Sequence, residues 1–595
     1  MARPKARAAP PLKLPLPAHT QPASAPRQAA TPRRIGAACL LSAVCFIFYL
    51  TNLRPVGAWD SIPARLLPFS ILRQGNLDLD EFTWLRRLDP KPYFLRRGPN
   101  GHWLSCYPVA LPIVVTPLYA PITWWLRHHH VDDDDVRFRL ASLVMERIAA
   151  AAIAAASVGF VFLAAAAVGP TRVAVGVALA YGLGSNTWAV SSQALWKHGL
   201  AELSLAGLSF LLLAPISRRT AVTAGAFAAL GVLARPTMIV FALAALVFMW
   251  RERRAQVIPF LSLPILGAGA LLAYNMRLAN AAVARPPSGA FGWPRWNSFF
   301  GLLVSPNRGL FIYTPAAVLA IPAACRPGRV KARWLAYAPF AIAGYLLLHS
   351  AWSGQGGHCY GPRYLTDALP VIALCAVALV ERLWQSGPGR LLVSAAVLWG
   401  LLVQGIGVYC DDNSWNALPV SVDKASWRVW DWEDPQILRA ARAGWHAFDL
   451  APLLWQTLVH PEPALLRPLD ADHLSGEITT DDPLPLHYSR QRSGTLHLRL
   501  TNRSDVAWPA FSDFGYLQVW IVYRWWSEGA VVRGEGGFVP IPRNLGSQES
   551  IALSAAIETP HRPGEYQLEL IVTQAIDPTK GGSGGTALRV PVRVE

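Results

Sequence analysis

Two uncharged apolar runs, 35–53 (IGAACLLSAVCFIFYLTNL) and 391–409 (LLVSAAVLWGLLVQGIGVY), constrain what this chain can fold into. Each matches the roughly 20 residues a helix needs to cross a hydrocarbon core. Lipid satisfies no backbone polar group, so such a run closes its own hydrogen bonds as a helix. With 53% hydrophobic and 15% charged residues over 595 positions, the chain carries more apolar surface than soluble cores can hide. A polytopic α-helical membrane domain is the expected class.

Apolar runs predict about eleven transmembrane helices, at 35–53, 141–168, 172–187, 198–216, 220–234, 237–250, 257–275, 310–325, 334–350, 366–383 and 391–409. This register puts Arg172, then Arg218 and Arg219, then Arg251, Arg253 and Arg254 on one side. Arg326, Arg329, Lys331 and Arg333, then Arg382 and Arg390, follow on that same side. The proline-rich basic tail 1–34, read as disordered, shares it, so charge bias places the N-terminus in the cytosol and the C-terminus outside. The formal net charge of +17 is therefore membrane orientation, and no nucleic-acid partner is expected. The first helix reads as a signal anchor of the cytoplasmic (inner) membrane, since TNLRPVGAWD offers no small-residue cleavage site.

Two stretches test this register. Segment 107–126 (YPVALPIVVTPLYAPITWWL) is apolar enough to span, but four prolines argue for an interfacial or re-entrant piece. Segment 220–250 is interrupted by Arg235-Pro236 and reads as two short spans, because a single crossing would invert every later basic cluster. The long first outward loop, 54–140, and the Trp-, Gly- and Pro-rich loops 276–309 and 351–365 are where chemistry is expected. The inward loops are too short for a nucleotide-binding domain, and no phosphate-loop motif is present.

Seven cysteines show no metal or redox spacing; only Cys106, Cys359 and Cys410 fall in outward loops, leaving room for one disulfide. A Trp-rich connector, 410–472, reads as an amphipathic surface segment. From 473 to 595, period-two runs such as TLHLRLTN and GEYQLELIV predict an antiparallel all-β sandwich.

Asp60 lies just beyond the first span, placed to accept an acceptor proton or hold a metal, though its position also fits a solvated loop. Lys197 and His198 open a span, with Glu202 one turn after His198; that pair suits a proton relay or half a metal site, or a simple helix-end histidine. HHHVDDDD (128–135) reads as a solvated loop. Arg363 and Tyr364 open a late span at its outward N-terminus, a natural seat for a lipid phosphate and equally for a snorkelling Arg with a belt Tyr. Arg235 and Arg308 are further outward cations near the membrane.

An acidic residue after the first span, the segment SCYPVALP, a basic residue in GVLARPT and an RYL…LP motif opening a late span occur here in a set order. That order, over roughly 35–383, resembles the GT-C glycosyltransferases, in outline the protein O-mannosyltransferases and the aminoarabinose transferases of lipid A. The resemblance implies a GT-C-like fold and a polyprenyl-phosphate sugar donor used on the outer face of the membrane. Asp60 would be the catalytic or metal-associated carboxylate, with His198 in its neighbourhood. Arg235 and Arg363 would contact the donor phosphate, with Arg308 and Tyr364 beside them. Many relatives carry further acidic residues where this chain has a lone Asp60 and His198, so a divalent metal stays open. The C-terminal module is similar to immunoglobulin-like sandwiches of bacterial envelope proteins. The acceptor is left open among lipid, glycan and protein. The alternative from another class is a non-catalytic transporter or scaffold that presents the outward sandwich.

Overall fold

A computed structural model describes residues 31–54, 59–88, 92–279, 291–325, 332–352, 356–411, 413–417, 421–443, 469–489, 493–510, 518–560, 562–574 and 586–595. Most of the basic tail, the basic cluster Arg326, Arg329 and Lys331, and residues 444–468 of the connector lie outside the described residues. The chain is mostly helical up to residue 443 and all-β from 476.

Helix α1 (Pro32–Leu50) starts on Thr31, whose hydroxyl accepts from Arg34 N at 3.4 Å. The region after α1 holds α2 (Ile62–Arg73), α3 (Thr83–Leu88), a hairpin of β1 (Leu95–Arg97) and β2 (Trp103–Ser105), and α4 (Ala110–His128). The four prolines of 107–126 do not all enter one helix: Pro108 precedes α4, and the other three lie within its 19 residues. Pro112 sits in its first turn, where the missing N–H costs nothing. Pro117 and Pro121 lie on the exposed face, while Leu111, Val115, Tyr119 and Leu126 form the buried one.

Helix α5 (Val136–Val168) is capped by Asp135, whose carboxylate accepts from Arg137 N at 2.7 Å. Then come α6 (Thr171–Leu183), α7 (Lys197–Leu213) and α8 (Arg218–Ala234), the last started by a Ser217–Thr220 capping box. Arg235-Pro236 does split 220–250: α8 ends at Ala234, and α9 (Ile239–Glu252) follows a single 3-10 turn. Next is α10 (Val257–Ala279), pressed on α8 so closely that a Cβ at Gly225 would lie 2.0 Å from the Phe260 carbonyl. After α11 (Trp296–Val304), the stretch 310–325 is broken into α12 (Leu310–Tyr313), a 3-10 turn and α13 (Ile321–Cys325), and is not the single helix expected. Pro315 and Pro322 deny it a continuous ladder. Helices α14 (Arg333–Ser350), α15 (Leu369–Leu383) and α16 (Gly387–Tyr409) complete the domain, with short α17 (Ser414–Ala417) and α18 (Gln436–Ala443) in the connector.

Among the described residues five helices are long and apolar enough to cross a membrane: Pro32–Leu50, Arg137–Val168, Arg254–Met276, Arg363–Leu383 and Gly387–Tyr409. Two of them expose large apolar side chains, such as Ile258 at 82% and Leu391 at 72%.

The β region pairs a three-stranded sheet with a five-stranded one. The strands are β3 (Gly476–Thr480), β4 (Leu486–Tyr488), β5 (Ser493–Asn502), β6 (Trp520–Ser527), β7 (Ala530–Pro540), β8 (Ser550–Glu558), β9 (Gly564–Thr573) and β10 (Ala587–Val594). Their orders are β3-β5-β8 and β4-β10-β9-β6-β7. Neighbours are antiparallel except β4, which runs parallel to β10, a departure from the wholly antiparallel expectation. Alternate residues of both sheets, including Leu498, Ile521, Trp525, Leu570 and Val592, enclose one core with Trp508. Leu474 joins this core, the Trp508 indole donates to His473 O at 2.7 Å, and Leu469 N donates to Gln574 Oε1 at 2.6 Å. The folded unit therefore begins near 469, slightly before the composition shift at 473. An excised 469–595 fragment should melt cooperatively in urea, followed by circular dichroism. Starting at 476 should cost about 4–5 kcal/mol, from one buried leucine and the hydrogen bonds made by Leu469, His473 and Ser475. Equal stability of the two fragments would contradict this boundary.

Candidate functional site

Asp60 sits in a 3-10 turn, Trp59–Ser61, held in place because Ile62-Pro63 immediately starts α2. Its Oδ1 accepts hydrogen bonds from Tyr93 at 2.8 Å and Tyr107 at 2.7 Å. Those tyrosines lie at the two ends of the β1–β2 hairpin, so the hairpin sets both phenols at once. Oδ2 accepts from Arg363 Nη2 at 2.6 Å across 303 residues of chain. Burial alone would raise the Asp60 carboxyl, but the Arg363 guanidinium, then the Tyr107 hydroxyl and Lys197, hold it well below the usual carboxylate range. Burial and the Asp60 charge raise both phenols, which stay protonated donors.

Arg363 opens a 3-10 turn, Arg363–Ala368, that runs into α15. Gly361 before it has φ +67°, and a Cβ there would meet the Tyr313 ring at 2.5 Å, so the turn needs glycine. The Arg363 guanidinium lies 4.8 Å from the centre of the Trp196 ring and donates through Nε to His198 Nε2 at 3.1 Å. His198 Nδ1 faces Asp367 Oδ1 at 2.7 Å. An arginine only donates and a carboxylate only accepts, so His198 is the neutral tautomer with its proton on Nδ1. Arg235 Nη1 binds Asp367 Oδ2 at 2.7 Å and crowds His198 Nδ1 at 2.5 Å, with the carboxylate accepting from both. Tyr345 also donates to Asp367, and Arg235 Nη2 donates to His349 Nε2 at 3.0 Å. The result is a continuous chain: Asp60, Arg363, His198, Asp367, Arg235, His349.

Of the residues singled out in the sequence, Asp60, His198, Arg235 and Arg363 are thus brought together. Tyr364 packs beside them, 5.9 Å from the Arg235 guanidinium and 5.3 Å from the His349 ring. Arg308 goes elsewhere: it is buried over Trp415 and donates to Gln436, Asn416 and the carbonyls of Asn307 and Gly357. The His198–Glu202 pairing is not made. Glu202 turns to Tyr181 and Thr187, each at 3.2 Å, while His198 takes Asp367. Asp367 was the missed residue; an Asp in the first turn of an apolar span, four residues after Arg363, was the signal. All seven cysteines are free thiols.

No family model and no curated protein matches this chain. Among solved structures, the alkylpurine DNA glycosylase AlkC of Pseudomonas fluorescens, bound to DNA containing an abasic site analog, matches at 12% identity. The match covers 73% of this chain and 97% of that one, with a TM-score of 0.16. Nothing is carried over from a likeness that low.

The chemistry rests on the residues themselves. Asp60 already accepts from two phenols and a guanidinium, a donor set suited to an anion and not to a metal. A cation-like spacing occurs instead at Asp78, Asp80 and His102, whose ligand atoms lie within 4.8 Å of one another beside the hairpin. In HHHVDDDD, Asp133 pairs with Arg73 and Asp135 caps α5, consistent with a surface loop.

Two outcomes follow. Arg235→Met strands Asp367, which is fully buried, and should destabilise the protein by about 3–5 kcal/mol in detergent unfolding; a loss under about 1 kcal/mol would show the pair is dispensable. Because the folded Asp60 carboxyl is depressed, its stabilisation is present above the unfolded value of about 3.9 and lost as pH falls below it. The stability gap between wild type and Asp60→Asn should therefore be flat from about pH 8 to 5 and shrink only below about 4.

Proposed function

We propose that this protein is a GT-C-type glycosyltransferase, moving a sugar from a polyprenyl-phosphate donor to an envelope acceptor at the outer face of the cytoplasmic membrane. The observation that carries the reading is the 2.6 Å contact between Asp60 and Arg363, with Arg235 joined to them through His198 and Asp367. Transfer from a lipid phosphate needs an anionic base and phosphate-directed cations in one small site, and these residues provide both. Asp60 takes the proton of the acceptor hydroxyl as that oxygen bonds to the sugar C1. The bond from C1 to the phosphate oxygen breaks, and its electron pair leaves with the phosphate. Arg363 and Arg235 hold Asp60 and Asp367 in place and lend the phosphate side their positive charge, and Tyr93 and Tyr107 orient the carboxylate. His198, with both ring nitrogens engaged, positions Arg363.

The reading includes eleven spans, a cytosolic N-terminus and an outward, immunoglobulin-like sandwich. Its support is that the expected spans coincide with helices, one of them broken, and that the clustered charges lie at helix ends and not at mid-helix, where a carrier would hold them. Asp60→Asn is nearly isosteric and should abolish transfer while donor binding persists, read by mass spectrometry of envelope glycans and glycolipids and by donor binding to purified protein. Unchanged glycans in the variant would favour the transporter or scaffold. A tag at residue 595 should be labelled from outside the cytoplasmic membrane; labelling only after that membrane is permeabilised would overturn the topology.

A further inference from the structure

Both arginines of the site are already committed. Arg363 binds Asp60 and His198, and Arg235 binds Asp367 and His349. A third cation stands among them. Lys197, the first residue of α7, is half-buried and places Nζ 4.1 Å from the centre of the Tyr107 ring, the same phenol that donates to Asp60. Burial pushes its ammonium down to about 7; Asp60 and Asp367 raise it, while Arg235 and Arg363 lower it further. Among the described residues its ammonium has no hydrogen bond and no ion pair, only the aromatic face beneath it. An ammonium with three donors, held over a ring and left without an acceptor beside a carboxylate, is placed for an anion that comes from outside.

The charges of the cluster say how much anion. Asp60 and Asp367 neutralise Arg363 and Arg235, His198 is neutral by its partners, and the Lys197 ammonium, whose proton burial loosens and an arriving anion holds, is the charge left over. A surplus of one positive charge matches a phosphodiester, which carries one negative charge. When the C1–oxygen bond breaks, the leaving phosphate gains a second negative charge, and a compact ammonium can follow it without leaving a carboxylate unpaired.

We propose that Lys197 is the cation that takes the non-bridging phosphate oxygen of the lipid-linked donor, while Arg363 and Arg235 chiefly hold Asp60 and Asp367. This rests on the glycosyltransferase reading and assigns the phosphate contact within it. The pairing of Lys197 with Tyr107 also puts the phosphate on the Asp60 side of the cluster, where the acceptor must arrive.

The test is equilibrium binding of farnesyl phosphate to the full-length protein in detergent, with farnesol and inorganic phosphate as comparison probes. Lys197→Gln should weaken farnesyl phosphate by about tenfold, equivalent to about 1.4 kcal/mol, and leave farnesol unchanged. Lys197→Arg keeps the charge and should stay within about threefold of wild type, which separates lost charge from lost folding. Inorganic phosphate should compete weakly in wild type and not in Lys197→Gln. Farnesyl phosphate bound equally by wild type and Lys197→Gln would overturn the assignment while leaving the donor reading intact. So would an equal loss of farnesol in that variant. A wild type that binds farnesyl phosphate no better than farnesol, or no better than inorganic phosphate, would overturn the lipid-linked donor and the role of Lys197 with it.

Discussion

One guanidinium, that of Arg363, joins the turn after the first helix to the start of a late apolar helix, and the arrangement of every other charge in the site depends on it. Removing ions from water costs several kcal/mol each unless partners replace the lost solvation. The chain answers by alternation: carboxylate, guanidinium, imidazole, carboxylate, guanidinium, imidazole, each touching the next. No member can be withdrawn without leaving a neighbour buried and unsatisfied. The electrostatics therefore fix six separate pieces of backbone relative to one another: the turn at 59–61, the hairpin ends at 93 and 107, the start of α7, the break at Arg235-Pro236, the end of α14 and the turn at 363–367.

The scaffold around this chain holds it by two further means. On one side Arg147 of α5, itself buried, donates to the carbonyls of Gln193, Ser192 and Tyr49 and to Asn52, so the loop before α7 cannot shift without breaking bonds to α1. On the other side Gln436 of the connector reaches Gly361 N at 3.0 Å and Cys359 O at 2.9 Å, bracing the turn that aims Arg363. Arg308 serves that brace, donating to Gln436 Oε1 at 2.7 Å. Farther along the connector, Arg439 meets Glu558 of the β region at 3.3 Å, a partly exposed pair whose geometric effect exceeds its modest energy. Connector and sandwich are thereby linked to the site by position.

The apolar segments were legible because their signal is one-dimensional: a run of apolar residues of sufficient length has few ways to satisfy its backbone other than as a helix. The break at Arg235-Pro236 and the alternating strands after 473 were legible for similarly local reasons. What escaped the sequence was two-sided geometry. Pro117 and Pro121 of α4 looked disruptive because their shared exposed face is invisible until the helix is packed, and 310–325 looked continuous because its apolar content hid two well-placed prolines. For the site, Asp60, Arg235 and Arg363 stood out as charges at helix ends, but which of them touch is decided by tertiary packing. His198 had a sequence neighbour, Glu202, at helical spacing; its actual partner is Asp367, 169 positions away. Proximity in sequence supplied the wrong carboxylate because buried Glu202 found two hydroxyls and left the imidazole free for another.

The same alternation limits how the proposed transfer can begin. Asp60 as arranged has Oδ1 taken by two phenols and Oδ2 by Arg363, so a carboxylate in this state is a weak base toward an incoming hydroxyl. Its basicity rises only if one donor turns away, and Arg363 is held to it by His198 on its other side. The Tyr107 hydroxyl is the donor with somewhere else to turn, because a phosphate drawn to the Lys197 ammonium over its ring offers it an acceptor oxygen. Donor arrival and release of the base are then one event, and an empty site keeps its carboxylate masked. Binding energy from the phosphate is thereby used to unmask the group that acts on the acceptor, which is the form of coupling that favours transfer over idle proton exchange with water.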